Sequence, residues 1–227
     1  MAKFEFRLPS QDDIRNSTNG QIMLSIINND YDEKFTLVTG CPGSGKTTVS
    51  IFRLIRLANN GKPTMLLTYQ RMLKVAIENL LSKQGISTSK VNTIHSWFPK
   101  TTGKLLGYSN QDNKLSAIDI ESALQNKVGN MELILDEAQD LEERIFQAFP
   151  KVFGRMTIGA DNDQQMFGGS GSSEAIIKKN ISNSYNDFTL QFNYRNTYQI
   201  YNFARLCCMA LNNPKIALSD LKIPLNK

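Results

Sequence analysis

The chain has 227 residues, of which 41% are hydrophobic and 21% charged, a balance that predicts one or two folded domains and excludes wholesale disorder. No apolar run approaches the ~18 residues of a membrane-spanning helix, and charges interrupt the N-terminal segment, so neither secretion nor membrane insertion is expected. Three cysteines, one isolated and two adjacent, predict neither a disulfide framework nor a zinc site. We therefore expect a cytoplasmic protein.

The net charge of +5 is unevenly distributed. Residues 1–110 hold 14 Lys and Arg against 7 Asp and Glu, whereas residues 111–227 hold 12 against 14. Residues 62–104 alone contain seven basic side chains and one acid. Such a stretch is typical either of a surface that binds a polyanion or of a solvated basic face, and charge alone does not separate the two interpretations.

Short apolar, β-branched runs alternate along the chain with segments of helical periodicity. The predicted strands are 35–39, 64–69, 90–94, 131–135, 155–159 and 187–190, and the predicted helices are 46–58, 71–83, 141–149, 173–179 and 197–212. Residues 99–116 and 168–173 are rich in small and polar residues and are predicted as surface loops. Alternating strands and helices predict an α/β fold with a mostly parallel, largely buried sheet.

Residues 40–47 (GCPGSGKT) match GxxxxGK[ST] after a predicted strand and at the start of a predicted helix. The glycines allow backbone N–H groups to converge on phosphate, and the helix N-terminus favours negative charge. In this pattern Lys46 binds the β- and γ-phosphates of ATP, and the Thr47 hydroxyl binds Mg²⁺. The predicted nucleotide-binding residues of this P loop are Gly43, Ser44, Gly45, Lys46, Thr47 and Thr48.

Two carboxylates follow the strand predicted at 131–135. We expect Asp136 to hold Mg²⁺ and Glu137 to act as the general base that activates the attacking water. The structural alternative is an ordinary acidic turn between a strand and a helix, capped by Asp140. The P loop earlier in the chain favours the catalytic interpretation.

The sequence DEAQD at 136–140 resembles the acidic motif of superfamily 1 helicases of the UvrD/Rep/PcrA type, and five further segments follow the order of that family over residues 8–205. The resemblance implies a three-layer P-loop NTPase (RecA-like) domain, the first lobe of a DNA helicase. It also implies ATP and Mg²⁺ as cofactors and single-stranded DNA as a partner.

Three of these segments imply further nucleotide contacts. LPSQ at 8–11 is similar to the motif whose glutamine reads adenine, here Gln11. LQFNYR at 190–195 is similar to the motif in which a tyrosine stacks on adenine and an arginine reaches the γ-phosphate, here Tyr194 and Arg195. The third is IGADNDQQMF at 158–167, which is similar to the segment that couples the γ-phosphate to the strand groove. Its matching positions are Asp161 and the catalytic Gln164, although an extra Ala160 departs from the family pattern.

The remaining two segments, LLTYQRML at 66–73 and VNTIHSWF at 91–98, resemble those that line the single-strand groove. The nucleic-acid-binding residues implied by the resemblance are Thr68, Tyr69, Thr93, His95, Ser96 and Phe167. Both segments lie inside the basic stretch, which supports its interpretation as a polyanion surface. Trp97 and Phe98 are predicted to belong to the core instead.

In the family, a helical subdomain lies between the second groove segment and the acidic motif. Only about forty residues separate His95 from Asp136, too few for an independent domain, so we expect this insertion to be reduced or absent around 99–130. One predicted helix and a short tail follow Arg195, so we expect no second RecA-like lobe within these residues. We therefore expect residues 1–227 to form a single lobe that hydrolyses ATP slowly alone and that needs a second lobe, in the full protein or in a partner chain, to work as a motor.

Two other hypotheses remain open. The chain is also compatible with a standalone ATP-dependent regulatory switch that has no unwinding activity. A passive nucleic-acid-binding module with a degenerate ATP site is less consistent with the sequence, because the predicted catalytic residues are complete. Basic and stacking contacts serve DNA and RNA alike, so DNA follows from the resemblance alone.

Overall fold

A computed structural model of the chain describes residues 8–28, 33–107, 113–161, 171–181, 184–195 and 200. The strands in these ranges are β1 (Phe35–Gly40), β2 (Thr64–Thr68), β3 (Val91–Thr93), β4 (Glu132–Asp136), β5 (Arg155–Ala160) and β6 (Asn186–Leu190). The helices are α1 (Gln11–Arg15), α2 (Gly20–Asn28), α3 (Lys46–Asn59), α4 (Arg71–Lys83), α5 (Ile94–Thr102), α6 (Ala117–Leu124), α7 (Glu143–Val152) and α8 (Glu174–Ile181). Within this part of the chain, no helix has the length and apolar character needed to cross a bilayer.

The strands form one six-stranded sheet in the order β3-β2-β4-β5-β1-β6, and every pairing in it is parallel. β1 lies between β5 and β6, with Thr39 opposite Ala160 and Gly40 opposite Leu190. β4 lies beside β2, with Asp136 opposite Thr68. Because parallel strands end at a common edge, the segments that follow β1, β4, β5 and β6 meet there.

Successive strand residues face opposite sides of the sheet, and buried hydrophobic clusters form on both sides. Leu37 and Leu67 pack on the side covered by α5, α6, α7 and α8. Leu66 packs on the opposite side against α3 and α4, and Val38 packs on that side against α2. The result is a three-layer α/β domain, as the sequence predicts.

The region after β3 differs from the sequence prediction. The predicted strand ends at Thr93 instead of 94, and α5 continues through Pro99 to Thr102, so the first four residues of the loop predicted at 99–116 are helical. Burial of Trp97 and Phe98 explains the helix, because both aromatic rings are packed in the core and Trp97 lies 6.3 Å from the ring of Phe149. Core packing therefore outweighs the proline and the polar composition.

Other elements were not predicted at all. Helices α1 and α2 precede the first predicted strand, and α6 lies within the range where the family insertion is expected to be reduced. Residues 168–170 of the predicted loop 168–173, and all of the predicted closing helix 197–212 except residue 200, fall outside the described residues. The reduction of the insertion stays a prediction.

A buried ion pair joins the helical layer to the middle of the sheet. Arg53 of α3 donates from Nε to Glu132 Oε1 of β4 at 2.6 Å, and the two side chains are 4% and 8% exposed. The same guanidinium donates to the carbonyl of Ile26 at the end of α2, and Thr157 of β5 donates to Glu132. One charged pair thus ties together two helices and two strands.

We expect Glu132→Gln to lower the free energy of unfolding by about 3–5 kcal/mol, because the substitution leaves the buried Arg53 cation uncompensated. Urea denaturation measures this loss. Glu121→Gln is a matched control, since Glu121 pairs with Lys151 at the surface, where the two side chains are 36% and 57% exposed. This control is expected to cost less than about 1 kcal/mol. Equal losses in the two variants would contradict a role for the buried pair.

Candidate functional site

The P loop connects β1 to α3 through a run of glycines in conformations that other residues rarely adopt. Gly43 and Gly45 have φ angles of +76° and +106°, and Gly45 is the residue that precedes α3. The first turn of α3 has no side-chain cap and no acidic residue. Its free backbone N–H groups and the positive end of the helix dipole therefore remain available to an anion.

Lys46 is held at the centre of the loop by three oxygens. Its Nζ donates to the carbonyls of Gly40 at 2.7 Å and Cys41 at 3.0 Å, and to Asp161 Oδ2 at 2.8 Å. The Lys46 and Asp161 side chains are only 10% and 2% exposed. Since Asp161 directly follows β5, the sheet brings the end of the neighbouring strand onto the P-loop lysine.

Asp136 is buried at the end of β4, beside α3. Ser50 of α3 donates to its Oδ1 at 3.2 Å, while its Oδ2 has no hydrogen-bond partner among the described residues. Burial and the neighbouring Glu137 raise the pKa of Asp136 to about 7, against the opposing effects of the Thr47 and Ser50 hydroxyls and of Lys46.

The donor set at this point fits Mg²⁺. A buried carboxylate oxygen that lacks a partner, next to the hydroxyl of Thr47, offers the hard oxygen ligands that Mg²⁺ prefers. Bound Mg²⁺ would also favour the ionised carboxylate and so oppose the upward shift of the Asp136 pKa. Both residues predicted as metal ligands, Thr47 and Asp136, therefore lie together.

Glu137 has a left-handed backbone, with φ +57° and ψ +45°. Such angles are uncommon for a residue other than glycine, and they turn the chain sharply just after the buried strand. Glu137 is half-buried, and its Oε2 accepts a hydrogen bond of 2.7 Å from Gln139 Nε2. The predicted metal ligand Asp136 and the predicted general base Glu137 are thus adjacent in sequence but sit in different backbone conformations.

The segment after β6 packs directly on the P loop. Tyr194 N–H donates to the carbonyl of Gly43 at 2.9 Å, and Arg195 N–H donates to Asn193 Oδ1 at 2.8 Å. A Cβ at position 43 would lie 2.6 Å from Arg195 Cβ and 2.8 Å from Asn193 Oδ1. Gly43 is required here both by its φ angle and by this close approach.

Asn19 is a site residue that the sequence analysis missed. It is buried, its N–H donates to the Tyr194 hydroxyl oxygen at 2.8 Å, and its Nδ2 lies 3.3 Å from the carbonyls of Ser44 and Phe192. It therefore joins the N-terminal helices, the P loop and the segment after β6. No sequence motif marks it, because all three partners lie far away along the chain.

The residues predicted to bind a nucleic acid divide into buried and accessible groups. Thr68 and Thr93 are buried at the ends of β2 and β3, and Thr68 Oγ1 has no hydrogen-bond partner in the described ranges. Tyr69, His95 and Ser96 are half-buried, and the rings of Tyr69 and His95 meet edge to face with centroids 5.5 Å apart. Burial is the main cause that lowers the pKa of His95, which keeps its imidazole neutral at pH 7.

The other predicted site residues are exposed, half-buried or outside the described residues. Gln11 is exposed at the first position of α1, and Thr48 lies half-buried in the first turn of α3. Arg195 is exposed beside the P loop. Gln164 and Phe167 lie outside the described residues. Their roles stay predictions.

An all-parallel sheet with a glycine-rich phosphate loop on one strand and an acidic pair on another defines a P-loop NTPase domain. The chain belongs to the family described as an AAA domain, whose model matches residues 24–170. No curated protein matches the chain.

Solved structures give further points of comparison. The chain is similar to DnaA from Aquifex aeolicus bound to AMPPCP, with 12% identity and a TM-score of 0.38 over 93% of this chain and 56% of that one. It is similar to Orc1 from Aeropyrum pernix in complex with DNA, with 16% identity and a TM-score of 0.39 over 80% and 46%. It is also similar to Pif1 from a Bacteroides species in complex with ADP-AlF4, with 20% identity and a TM-score of 0.36 over 88% and 45%. The chain spans about half the length of these proteins.

We expect Gly43→Ala to weaken ATP binding about tenfold or more, because the added Cβ forces the P loop and residues 193–195 apart. Isothermal titration calorimetry with Mg-ATP measures the effect. Gly61→Ala is the matched control, since Gly61 has a similar φ of +68° but nothing within 4 Å of the added Cβ. It should lower stability by about 1–2 kcal/mol through backbone strain and leave ATP affinity unchanged. Equal ATP affinities in the two variants would rule out the close approach as the cause.

Proposed function

We propose that the chain binds and hydrolyses Mg-ATP as the ATPase lobe of a superfamily 1, UvrD-like DNA helicase or translocase that binds single-stranded DNA. The observation that carries the proposal is the convergence of two sets of residues at one edge of the sheet. Among the described residues, the P loop, Asp136–Glu137, Asp161 and Tyr194–Arg195 lie at the carboxyl ends of β1, β4, β5 and β6. The predicted DNA-binding residues at 68–69 and 93–96 lie at the carboxyl ends of β2 and β3. The two sets therefore occupy neighbouring halves of the same edge.

In the proposed reaction the P loop binds the phosphates of ATP. The backbone N–H groups at the start of α3 and the ammonium of Lys46 face the bridging and terminal phosphate oxygens. Thr47 and Asp136 would hold Mg²⁺, which when bound neutralises phosphate charge. Glu137 accepts the proton of the attacking water, and Gln164 is proposed to orient that water.

The segment after β6 supplies the other nucleotide contacts of the proposal. The Tyr194 ring offers a planar surface to adenine, while Asn19 holds its hydroxyl and Gly43 its backbone. The exposed Arg195 lies beside the P loop, where a guanidinium stabilises charge that develops on the transferred phosphoryl group. Gln11 is proposed to read the edge of the base.

The half of this edge that is proposed to bind single-stranded DNA combines positive charge with aromatic rings. Tyr69 and His95 lie together after β2 and β3, and the flanking chain is the basic stretch of residues 62–104. Such surfaces hold single strands through phosphate neutralisation and base stacking, without reading sequence. DNA is the proposed strand because of the resemblance to DNA helicases.

A complete motor needs a second body. Translocation by RecA-like lobes is a cycle of closure on ATP and reopening, which one rigid domain does not perform. We propose that a second lobe, in a longer form of the protein or in a partner chain, adds an arginine to the ATP site. Since such an arginine is worth roughly 10³–10⁵ in rate in related phosphate-loop enzymes, turnover by this chain alone should be slow.

We expect the chain to release phosphate from Mg-ATP, and single-stranded DNA to accelerate that release. Glu137→Gln should lower kcat by about 10²–10⁴, because the general base is lost while the phosphate-binding loop remains. Steady-state phosphate release with and without an oligodeoxythymidylate measures both effects. Glu121→Gln is the matched control, because it removes a surface carboxylate on α6, and it should keep the unmutated rate. A measurable rate that DNA does not change would favour the standalone ATP switch, and no turnover under any condition would contradict ATP hydrolysis.

The position of the bound single-stranded DNA can be tested with two charge reversals on one helix. Arg71 and Lys83 are the first and last residues of α4 and both are exposed, but only Arg71 lies at the carboxyl edge of the sheet. The two are about 18 Å apart along the helix axis. We expect Arg71→Glu to weaken binding of a labelled single strand about three- to tenfold and to reduce its salt dependence, since one phosphate contact is lost.

Fluorescence anisotropy titrations at two salt concentrations measure this effect. Lys83→Glu changes the net charge by the same amount, so it corrects for the general loss of positive charge. If the two variants weaken DNA binding equally, the bound DNA does not lie along the carboxyl edge of the sheet.

A further inference from the structure

A buried side-chain amide connects the carboxylate of Glu137 to the backbone N–H of Asp161. Gln139 is 1% exposed and lies in the turn that follows Glu137. Its Nε2 donates to Glu137 Oε2 at 2.7 Å, and its Oε1 accepts from the N–H of Asp161 at 3.0 Å. A single side chain therefore bridges the end of β4 to the end of β5.

The chemistry of the partners fixes the orientation of this amide. The N–H of Asp161 can only donate, so the amide oxygen of Gln139 must face it. The amide nitrogen then faces Glu137, whose ionised carboxylate can only accept. Rotating the amide by half a turn would place its N–H against the N–H of Asp161 and its oxygen against the Glu137 carboxylate. Both contacts are unfavourable, and in a buried position they are costly. Gln139 is thus locked with its donor towards the general base.

The constraint matters because little else in the local chain directs the Glu137 side chain. Glu137 stands in a left-handed turn between a buried strand and a short 3-10 turn (Ala138–Asp140), and its side chain is half-exposed. A flexible carboxylate samples several rotamers, only some of which aim an oxygen at the attacking water. A hydrogen bond from a buried, immobile donor selects among them.

The amide is itself tied to the P-loop lysine. Asp161 donates its N–H to Gln139 and accepts with its carboxylate from Lys46 at 2.8 Å. The backbone carbonyl of Gln139 also accepts from the N–H of Ser172 at 3.0 Å. The link therefore runs from the lysine through Asp161 and Gln139 to the general base.

We propose that Gln139 is a positioning residue that holds the Glu137 carboxylate in its catalytic rotamer and fixes it relative to Asp161 and Lys46. The proposal rests on the proposed ATP hydrolysis. It assigns to Gln139 a role in the chemical step and none in nucleotide affinity, because Gln139 acts through Glu137 and bonds no P-loop residue directly in the described hydrogen-bond network.

The test is Gln139→Met, which keeps the length and volume of the side chain but removes both hydrogen bonds. We expect kcat for ATP to fall about 10- to 100-fold, as for other losses of orientation. The affinity for a fluorescent ATP analogue should stay within about threefold, which separates the chemical step from binding. Gln147→Met is the matched control, because Gln147 is exposed on α7, and it should keep the unmutated rate.

A double-variant cycle distinguishes positioning from general disruption. If Gln139 acts through Glu137, adding Gln139→Met to Glu137→Gln should lower the single-turnover hydrolysis rate by less than about twofold further. Gln139→Asn keeps the amide but shortens its reach by one methylene, and it replaces the methionine variant if circular dichroism shows that the latter does not fold. It is expected to show the same loss of kcat.

The outcomes separate this inference from the proposed function. ATP turnover by the unmutated chain together with an unchanged kcat in Gln139→Met would overturn the positioning role alone. An ATP affinity that falls as much as kcat, or additive effects in the cycle, would also overturn it. Absence of turnover in the unmutated chain would overturn the proposed function and this inference together.

Discussion

The parallel direction of the strands brings the P loop and the residues that follow β4, β5 and β6 to one edge of the sheet. β1 lies between β5 and β6, so the P loop emerges between Asp161 on one side and Tyr194 on the other. β4, one strand further along, adds Asp136 and Glu137 to the same edge. Residues that are more than a hundred positions apart in the chain meet there only because strand order and direction are fixed. The chemistry therefore depends on the topology before it depends on any single contact.

The features that the sequence predicts well are those whose geometry is contained in a few consecutive residues. Each strand boundary predicted from sequence falls within one residue of the structure, because strands buried on both faces form continuous apolar runs between polar turns. Residues 40–47 and 136–137 are recognisable for the same reason, since the shape of a phosphate loop or of an acidic strand end is set locally. Helix α5 is the counterexample. Pro99 and the polar residues after it favour a loop, and only the burial of Trp97 and Phe98 in the tertiary core makes the segment helical.

The contacts that connect these local features are absent from the sequence pattern. Asn19 meets Tyr194 across 175 positions, and Gln139 meets Asp161 across 22. Asparagine and glutamine are common in loops, where most of them are solvated, so composition gives no reason to select these two. Their importance comes from burial combined with complete hydrogen bonding, and both properties exist only after the sheet has formed. Motifs thus predict candidate catalytic residues, but they do not predict the side chains that contact those residues in the structure.

The hydrogen bond from the Tyr194 N–H to the Gly43 carbonyl joins the P loop to the segment that follows β6. A Cβ at position 43 would lie 2.6 Å from Arg195 Cβ and 2.8 Å from Asn193 Oδ1, so the two segments approach each other closely at this point. A force on residues 193–195 would therefore reach the phosphate loop through this contact, together with the Asn19 hydrogen bonds and the pairing of β1 with β6. Displacement of residues 193–195 would change the shape of the P loop, and a phosphate bound in that loop would oppose the displacement.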